Sequence, residues 1–567
     1  MPMIVQELIA IQERCGYLPE DELRALARRI SKPLHSLHEV ASFYPHFKLH
    51  PPKKVEVHVC QDMTCNLRGS QHLKRQLSAL ADEINPEQIE IKGVSCLGQC
   101  DYAPSAVAIN DLVYRGLTHD AVCAKVRAAH ASELKPQAPA DHGSLGWKID
   151  PYNGSPRYDV VKEFVKSRNG DAILKEIETA NLRGMGGAGF PTFRKWSAVR
   201  AEKGPVKYVV CNADECEPGT FKDRELLRRT PHLVIEGMVL AGLITGATKG
   251  TLYIRHEYHD ELHAFNHALD QARAEKICGE NILGSGLSFP VDVFISPGGY
   301  IQGEESALLE AMEDRRGEPR NKPPYPTVQG LFGKPTVINN VETLAWVPSI
   351  VKNGGAWYRD GGVNGAPGMR FVSISGDVNK PGVYEVPFGQ TVRQLIFETA
   401  GGMRDDQKLK AIAPSGPSGG FLPASLPAAA LPPKFVKDRF PPNAQAMDIL
   451  DLTLDLQTLK EMGSMLGAAF VVYGVKCNIV EEALNCVEFY RNESCGKCVP
   501  CRLGSQKLTD ILKEVLAGRG SRAQLPMVDE LAMTMSISSI CGLGMVASNP
   551  MTTLMKFFAQ DLDKYLK

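Results

Sequence analysis

Charge of one sign is the first thing this sequence lacks: 64 lysines and arginines stand against 65 aspartates and glutamates, leaving a formal net charge of −1. That balance excludes the broad electrostatic footprint of a nucleic-acid or anionic-lipid binder and points to protein or small-molecule partners. Long apolar runs are missing too. The stretch "MLGAAFVVYGV" at 465–475 is among the longest, well short of the roughly 20 residues that cross a bilayer. The N-terminal "MPMIVQELIAIQERCGYLPEDEL" has early acidic residues, no basic n-region and no uninterrupted apolar h-region, so no secretory signal is expected. These absences predict a soluble, cytoplasmic chain with no membrane insertion and no nucleic-acid partner. The 15 cysteines, an odd number without an export signal, argue for a reducing compartment where thiols serve metals rather than disulfides.

A chain of 567 residues exceeds one hydrophobic core and predicts about three to five units. Residues 1–50 carry helical periodicity: Ile4, Leu8 and Ile11 share a face, and "PEDELRALARRI" has acids in its first turn and bases in its last, as the helix dipole favours. Then "VEVHVC", "SQHLKRQLSAL", "IEIKGVSC" and "SAVAINDLVY" read as β-α-β-β, a thioredoxin-like layer, and "SELKPQAPADHGS" reads as a linker. From 146 to 365 strands alternate with helices, predicting an α/β unit with mostly parallel pairing. Residues 370–422 read as short strands and one helix, "LPASLPAAALPPKFVKDRFPP" as an extended surface loop, and 450–567 as helical. The expected domains are 1–145, 146–365, 366–445 and 446–567.

Two cysteine constellations stand out. In "NESCGKCVPCR", Cys495, Cys498 and Cys501 recur at two-residue intervals, and Cys541 in "SSICGLGMVASNP" follows after a predicted helix long enough to return the chain. Three ligands from one tight loop plus a remote thiolate suit a [4Fe–4S] cube; zinc, the alternative, more often takes two separated CxxC pairs. Gly496, Gly542 and Gly544 would let backbone N–H groups approach the sulfides. Upstream, Cys60 and Cys65, then Cys96 and Cys100, each pair at a predicted strand end, fit a [2Fe–2S] cluster, with inert buried thiols as the alternative. Cys211 and Cys216 repeat the CxxxxC spacing without a second pair, so one pair alone proves little. Cys15, Cys123, Cys278, Cys477 and Cys486 have no partner at ligand spacing and are expected in cores.

Residues 183–196, "RGMGGAGFPTFRKW", contain a formal G-x-G-x-x-G at Gly184, Gly186 and Gly189, but a helical segment precedes it and the strand "KYVVCN" follows. The ordinary dinucleotide fingerprint needs the reverse order and therefore fails. What survives is a loop whose backbone amides can meet a phosphate, with Arg183 and Lys195 supplying positive charge; a tight ligand-free turn is the alternative. The acidic loops "NADECEPGTFKDRE" (212–225) and "GGYIQGEESALLEAMEDRRG" (298–317) offer acceptors for ribose or ribityl hydroxyls and a nicotinamide amide, or else are solvated caps. Asn339 and Asn340 in "KPTVINNVETL" add paired amides.

Taken in order, "RGMGGAGFPTFRKW", "NADECEPGTFKDRE", "GGYIQGEESAL", "KPPYP", "INNVETL" and "ESCGKCVPCR…SICGLG" resemble the NADH-binding flavoprotein subunit of respiratory complex I. Residues 1–130 resemble that complex's thioredoxin-like [2Fe–2S] subunit, here fused at the N-terminus. The fused arrangement, "EPGTFKDRE" and the ending "ASNPMTTLMKFF" look most like the beta subunit of NAD-dependent formate dehydrogenases, with the diaphorase subunit of NAD-reducing hydrogenases or a fused complex I input module as alternatives. The resemblance implies a multidomain α/β protein: a helical bundle with a thioredoxin-like domain, a Rossmann-like FMN- and NADH-binding domain, a β-grasp insert at 370–422 and a C-terminal helical [4Fe–4S] bundle. It implies FMN held by Arg183, Gly184, Gly186, Gly187, Ala188, Gly189, Phe190, Lys195, Asn212, Asp214, Asn339 and Asn340. It places NAD(H) over the flavin, touching Glu217, Glu304, Glu305 and Lys322, with Tyr325 stacking on the nucleotide, and Glu215, Tyr300 and Gly303 complete the expected cofactor-binding set. No side chain is expected to act as acid or base. The implied partner in a hetero-oligomer is a large molybdenum- or tungsten-containing iron–sulfur formate dehydrogenase alpha subunit, or a hydrogenase module. A non-catalytic iron–sulfur interaction module is the rival from another class.

Overall fold

The computed structural model describes residues 3–138, 146–153 and 157–567; residues 139–144 of the expected linker lie outside them. Three helices, Ile4–Cys15, Glu20–Arg29 and Leu34–Phe43, open the chain. Their apolar stripes, which include Leu8, Leu23 and Leu37, share a core with Val210, Tyr253, Phe294 and Ile338. The first helices thus seal a face of the central α/β sheet.

The thioredoxin-like layer has four strands, β1 (Val55–Cys60), β2 (Ile89–Val94), β3 (Val107–Ile109) and β4 (Leu112–Tyr114), in the order β2-β1-β3-β4. The stretch read as one strand at "SAVAINDLVY" is a hairpin, because Asn110 and Asp111 take φ of 47° and 66°. Both residue types tolerate that left-handed conformation, and a two-residue turn of this kind matches strand twist.

The central unit has a wholly parallel sheet, β5 (Tyr208–Ala213), β6 (Lys249–Arg255), β7 (Val291–Ser296) and β8 (Thr336–Asn340), ordered β7-β6-β5-β8. Helices Pro231–Thr245 and Val341–Asn353 lie together against it. They approach so closely that a Cβ added at Gly237 would sit 2.1 Å from the carbonyl oxygen of Leu344. Helix Pro231–Thr245 is apolar on nearly every side because nearly every side is buried.

The insert is a five-stranded sheet of β9 (Met369–Gly376), β10 (Gly382–Pro387), β11 (Leu409–Pro417), β12 (Leu422–Pro423) and, in its centre, β15 (Ala469–Gly474). β15 is the apolar run noted at 465–475, so the sheet extends past the expected boundary at 445 and 450–567 is not helical throughout. Continuous burial on both faces of β15 removes the alternation by which a strand is recognised. The Pro- and Ala-rich segment is likewise no plain loop: β13 (Ser425–Pro427) pairs with β14 (Ala446–Asp448), and a helix Pro433–Arg439 buries Phe435. Beyond β15 the chain is helical, with Ile479–Glu493, Val499–Leu516 and Leu525–Ser538 as its long members. No helix among the described residues is long and apolar enough to cross a membrane.

Candidate functional site

The glycine loop leaves helix Gly170–Ala180 and returns through a short bridge between Arg183 and Pro191. Gly184 N–H donates to the Phe190 carbonyl at 2.9 Å, and the Arg183 guanidinium donates to the Gly189 carbonyl at 3.1 Å. Gly187 and Gly189 take φ of 113° and 62°, and nothing lies within 4 Å of a Cβ built at Gly187. Only glycine adopts the first of these readily, and the loop between them presents bare backbone to open space. Phe190 is half exposed. Lys195, whose ammonium burial pushes below its usual range, donates to the Ile338 carbonyl at 2.8 Å and stands 3.9 Å from Glu305.

At the end of β5, Asn212 Nδ2 donates to the Gly303 carbonyl at 2.8 Å and its Oδ1 accepts from Asp214 N–H at 3.2 Å, which ties the two acidic loops together. Gly303 must be glycine: a Cβ there would lie 2.8 Å from the Asp214 carbonyl oxygen. Asp214 is buried with no partner at full hydrogen-bond geometry on either carboxylate oxygen, and burial pushes it up to about 7 against the pull of Arg255 and the nearby Ser296 hydroxyl. Two buried acceptors without a well-aligned donor fit a ligand rich in hydroxyls. Glu217, also raised to about 7 by burial, pairs with the Tyr300 hydroxyl and accepts from Ser418 N–H of the insert at 3.2 Å. Glu304 caps helix Glu305–Met312 by accepting from Ser306 and Ala307 N–H. Lys322 donates to Glu304 at 2.7 Å and Glu305 at 2.8 Å, and these two carboxylates outweigh burial and raise its pKa. Tyr325 stands exposed nearby in sequence, a free ring face.

Three of the expected ligands also make bonds within the chain. Glu215 accepts from Asp223 N–H, Arg224 N–H and the Tyr258 hydroxyl, so it anchors the start of helix Lys222–Arg229. Asn339 Oδ1 accepts from Trp196 Nε1 at 2.8 Å. Asn340 caps helix Val341–Asn353, accepts from Lys222 Nζ at 3.1 Å and donates to Asp223 at 2.5 Å. Lys222 also pairs with Asp223 at 2.6 Å and Glu342 at 3.0 Å, all of them buried. This network was missed in the sequence, although charges packed into "FKDRE" beside a glycine turn are a legible sign of it.

The downstream cysteines converge around the N-terminus of helix Val499–Leu516, where Cys498 is the cap and Cys501 lies in the first turn. Cys541 caps the short helix Gly542–Val546. The two helices touch so closely that a Cβ at Gly544 would meet that of Cys501 at 2.9 Å. Burial pushes Cys501 up to about 11 and Cys541 up to about 12, while Leu543 and Gly544 N–H groups pull Cys541 the other way. Neighbouring thiols and aimed N–H groups are the surroundings a four-iron cluster uses. Cys541 feels the charge of Glu304, and Tyr300 feels that of Cys541, so this site adjoins the acidic pocket.

Cys60 ends β1, Cys65 lies in the turn Thr64–Leu67, and Cys96 and Cys100 follow β2. All four are at most 4 % exposed. Cys96 and Cys100 sulfurs are 3.5 Å apart, and the Cys60 thiol hydrogen-bonds both Cys65 and Cys96. Loops from the other domains close over them. Phe221 packs on Cys96 and Cys100, Tyr258 lies against Gly98, and Asn485 clamps the backbone of Gln61 and Met63. Cys211 sits in the core and Cys216 stays outside both sets; Cys278, Cys477 and Cys486 are buried as expected, whereas Cys15 and Cys123 are half-buried.

Comparison with known proteins agrees with this layout. The Nuo51 FMN-binding domain matches residues 177–349 and the thioredoxin-like [2Fe–2S] ferredoxin matches 2–130. The SLBB domain matches 371–422, and the iron–sulfur binding region of NADH-ubiquinone oxidoreductase-F matches 481–565. The F 2 subunit of the NADH-quinone oxidoreductase of Rhizobium meliloti is 38% identical over 423 residues, 74% of this chain and 95% of the relative. The NADP-reducing hydrogenase subunit HndC of Solidesulfovibrio fructosivorans is 38% identical over 395 residues, 70% of this chain and 76% of its own. A crystal structure of an NAD+-reducing [NiFe]-hydrogenase in the H2-reduced state matches with a TM-score of 0.84 at 31% identity, covering 100% of this chain and 94% of the other. The chain therefore belongs to the NADH-binding FMN flavoprotein family of complex I, an NAD-dependent flavin and iron–sulfur oxidoreductase subunit whose thioredoxin-like [2Fe–2S] and [4Fe–4S] regions share one polypeptide.

Proposed function

We propose that this chain is the NADH-side subunit of a cytoplasmic NAD-dependent formate dehydrogenase, exchanging electrons with a large molybdenum- or tungsten-containing iron–sulfur subunit. The observation that carries the NADH-side role is the juxtaposition of Asp214, with no well-aligned partner on its two buried oxygens, the Glu217–Tyr300 pair and Cys541. Bound flavin supplies the chemistry that links a two-electron hydride donor to one-electron carriers. The chain's own part is to hold and align. The glycine loop meets the phosphate with backbone amides, Lys195 adds charge, and Asp214 accepts from ribityl hydroxyls. Glu217 and Tyr300 hold the nicotinamide end, while Glu304, Glu305 and Lys322 face the rest of the nucleotide and Tyr325 offers a stacking surface. Two carboxylates against one ammonium disfavour a 2′-phosphate, which supports NAD over NADP. Cys495, Cys498, Cys501 and Cys541 hold the [4Fe–4S] cluster, and Cys60, Cys65, Cys96 and Cys100 the [2Fe–2S] cluster.

The formate reading is supported by "EPGTFKDRE" and "ASNPMTTLMKFF" in a fused chain. A hydrogenase diaphorase is the second reading, supported by the whole-chain likeness to the hydrogenase structure. Purification of the native complex under anaerobic conditions separates them. Molybdenum or tungsten with formate-dependent NAD+ reduction supports the first, nickel with hydrogen-dependent reduction the second. A chain without flavin and without NADH oxidation would sink both.

A further inference from the structure

Two arginines of the flavin domain reach into the cysteine loop of the thioredoxin-like domain. Arg255, at the end of β6, donates to the carbonyl of Cys96 at 2.9 Å and, through its other terminal nitrogen, to the carbonyl of Glu215 at 2.6 Å. Arg224 donates to the carbonyl of Gly98 at 2.7 Å, to Gln99 Oε1 at 2.8 Å and to both oxygens of Asp101 at 3.0 and 2.7 Å. Both guanidinium side chains are 2 % exposed. Every one of these contacts except that to Glu215 falls on residues 96–101, the loop that carries Cys96 and Cys100. Glu215 belongs to the acidic loop that also carries Asp214 and Glu217. One planar side chain, 159 residues from Cys96 in sequence, thus joins the flavin-side loop to the cluster-side loop.

We infer that Arg255, with Arg224 beside it, raises the reduction potential of the [2Fe–2S] centre and fixes the centre's position against the flavin loop. The inference rests on the assignment of Cys60, Cys65, Cys96 and Cys100 as its ligands. Reduction adds one electron and hence one negative charge to the centre. Fixed positive charge in a dry site stabilises the reduced state, and hydrogen bonds around the ligands act in the same direction. The charges are not bare. Arg255 is paired with Glu257 at 2.9 Å and Arg224 with Asp101 and Glu225, and Asp62 is a further buried acid in the same region. The centre therefore feels the remainder of a buried arrangement in which Arg255 makes the direct contact to a ligand's own carbonyl. That arrangement gives two substitutions opposite signs: Arg255→Gln removes the positive member and Glu257→Gln the negative one, in the same pair.

The test is a mediated dithionite titration of the purified complex, read by EPR of the reduced [2Fe–2S] centre, which the Cys96→Ala variant identifies by loss of its signal. In Arg255→Gln the ratio of reduced to oxidised centre at a fixed potential should fall about tenfold, about 59 mV for a one-electron couple. Arg255→Lys, keeping the charge, should restore most of the shift, and Glu257→Gln should move the ratio upward. Shifts of the same sign in both variants, or none in either while the signal is intact, overturn the tuning role. Should Arg255→Gln lose the centre, Arg255→Lys and Glu257→Gln still decide. Absence of any signal assignable to Cys96 in the unaltered complex overturns the ligand assignment, and the inference with it.

Discussion

The two cysteine sites differ in how they are closed. The upstream four thiols are at most 4 % exposed and closed over by side chains of other domains, Phe221 and Tyr258 from the flavin unit and Asn485 from the C-terminal helices, while nearby Arg68 bonds Asp377 of the insert at 3.1 Å. Downstream, Cys495, Cys498 and Cys541 are only half-buried, and apolar side chains stand free around them: Val499, Leu503, Ile537 and Met545. A site sealed on all sides exchanges electrons inward. A site with an open apolar rim can meet another protein. On this contrast the expected through route runs by the downstream cluster, with the upstream one to the side.

Breaking the downstream site should therefore cost most. In the native complex, Cys541→Ala should lower the iron content by about four per copy of this chain and reduce electron flow to the partner a hundredfold or more. Cys96→Ala should remove only about two irons and change NADH oxidation by an artificial acceptor less than about threefold; iron analysis with steady-state rates checks both, and equal losses would erase the comparison. Next in size is flavin retention. Gly303→Ala pushes a methyl group against the Asp214 carbonyl, and at least a tenfold loss of bound flavin is expected, read by fluorescence after denaturation. Lys222→Met leaves Asp223 and Glu342 buried without their cation, which destabilises by about 3–5 kcal/mol, measurable by denaturant unfolding.

The smallest effect is a pH dependence. Asp214 rises from 3.8 unfolded to about 7 folded because burial disfavours its charge. The folded chain then holds the extra proton, so this group's stability contribution is complete below about pH 4 and is lost as pH rises through about 7. Asp214→Asn should flatten that slope in flavin-free protein, by at most about 1.4 kcal/mol for each step of one in pH. Unfolding curves at pH 5 and pH 8 check it. An unchanged slope would mean that water or another donor already satisfies the carboxylate.

The two iron–sulfur regions were legible because cysteine spacing is a local property: a CxxCxxC turn and two strand-end pairs advertise themselves without knowledge of the rest. The parallel sheet was legible from strand and helix alternation, and the glycine loop from composition. Glu215, Asn339 and Asn340 were read from their residue type, which suits a nucleotide, without sight of the bonds they make inside the chain. Their orientation depends on Tyr258, Trp196 and Lys222, 43, 143 and 118 residues away, and no local pattern encodes that. β15 escaped because a strand buried on both faces loses its alternation, and the Pro-rich segment because short elements held by a few apolar anchors carry little periodicity.

By itself the sequence determined which chemistry the chain can support: thiols at cluster spacing, a side-chain-free loop for a phosphate, acids for hydroxyls. Only the tertiary structure decided which acids face the pocket, which cluster is sealed and which is open, and that Arg255 spans two domains. Spacing along the chain is fixed covalently, whereas burial and orientation are set by whatever distant segment packs there.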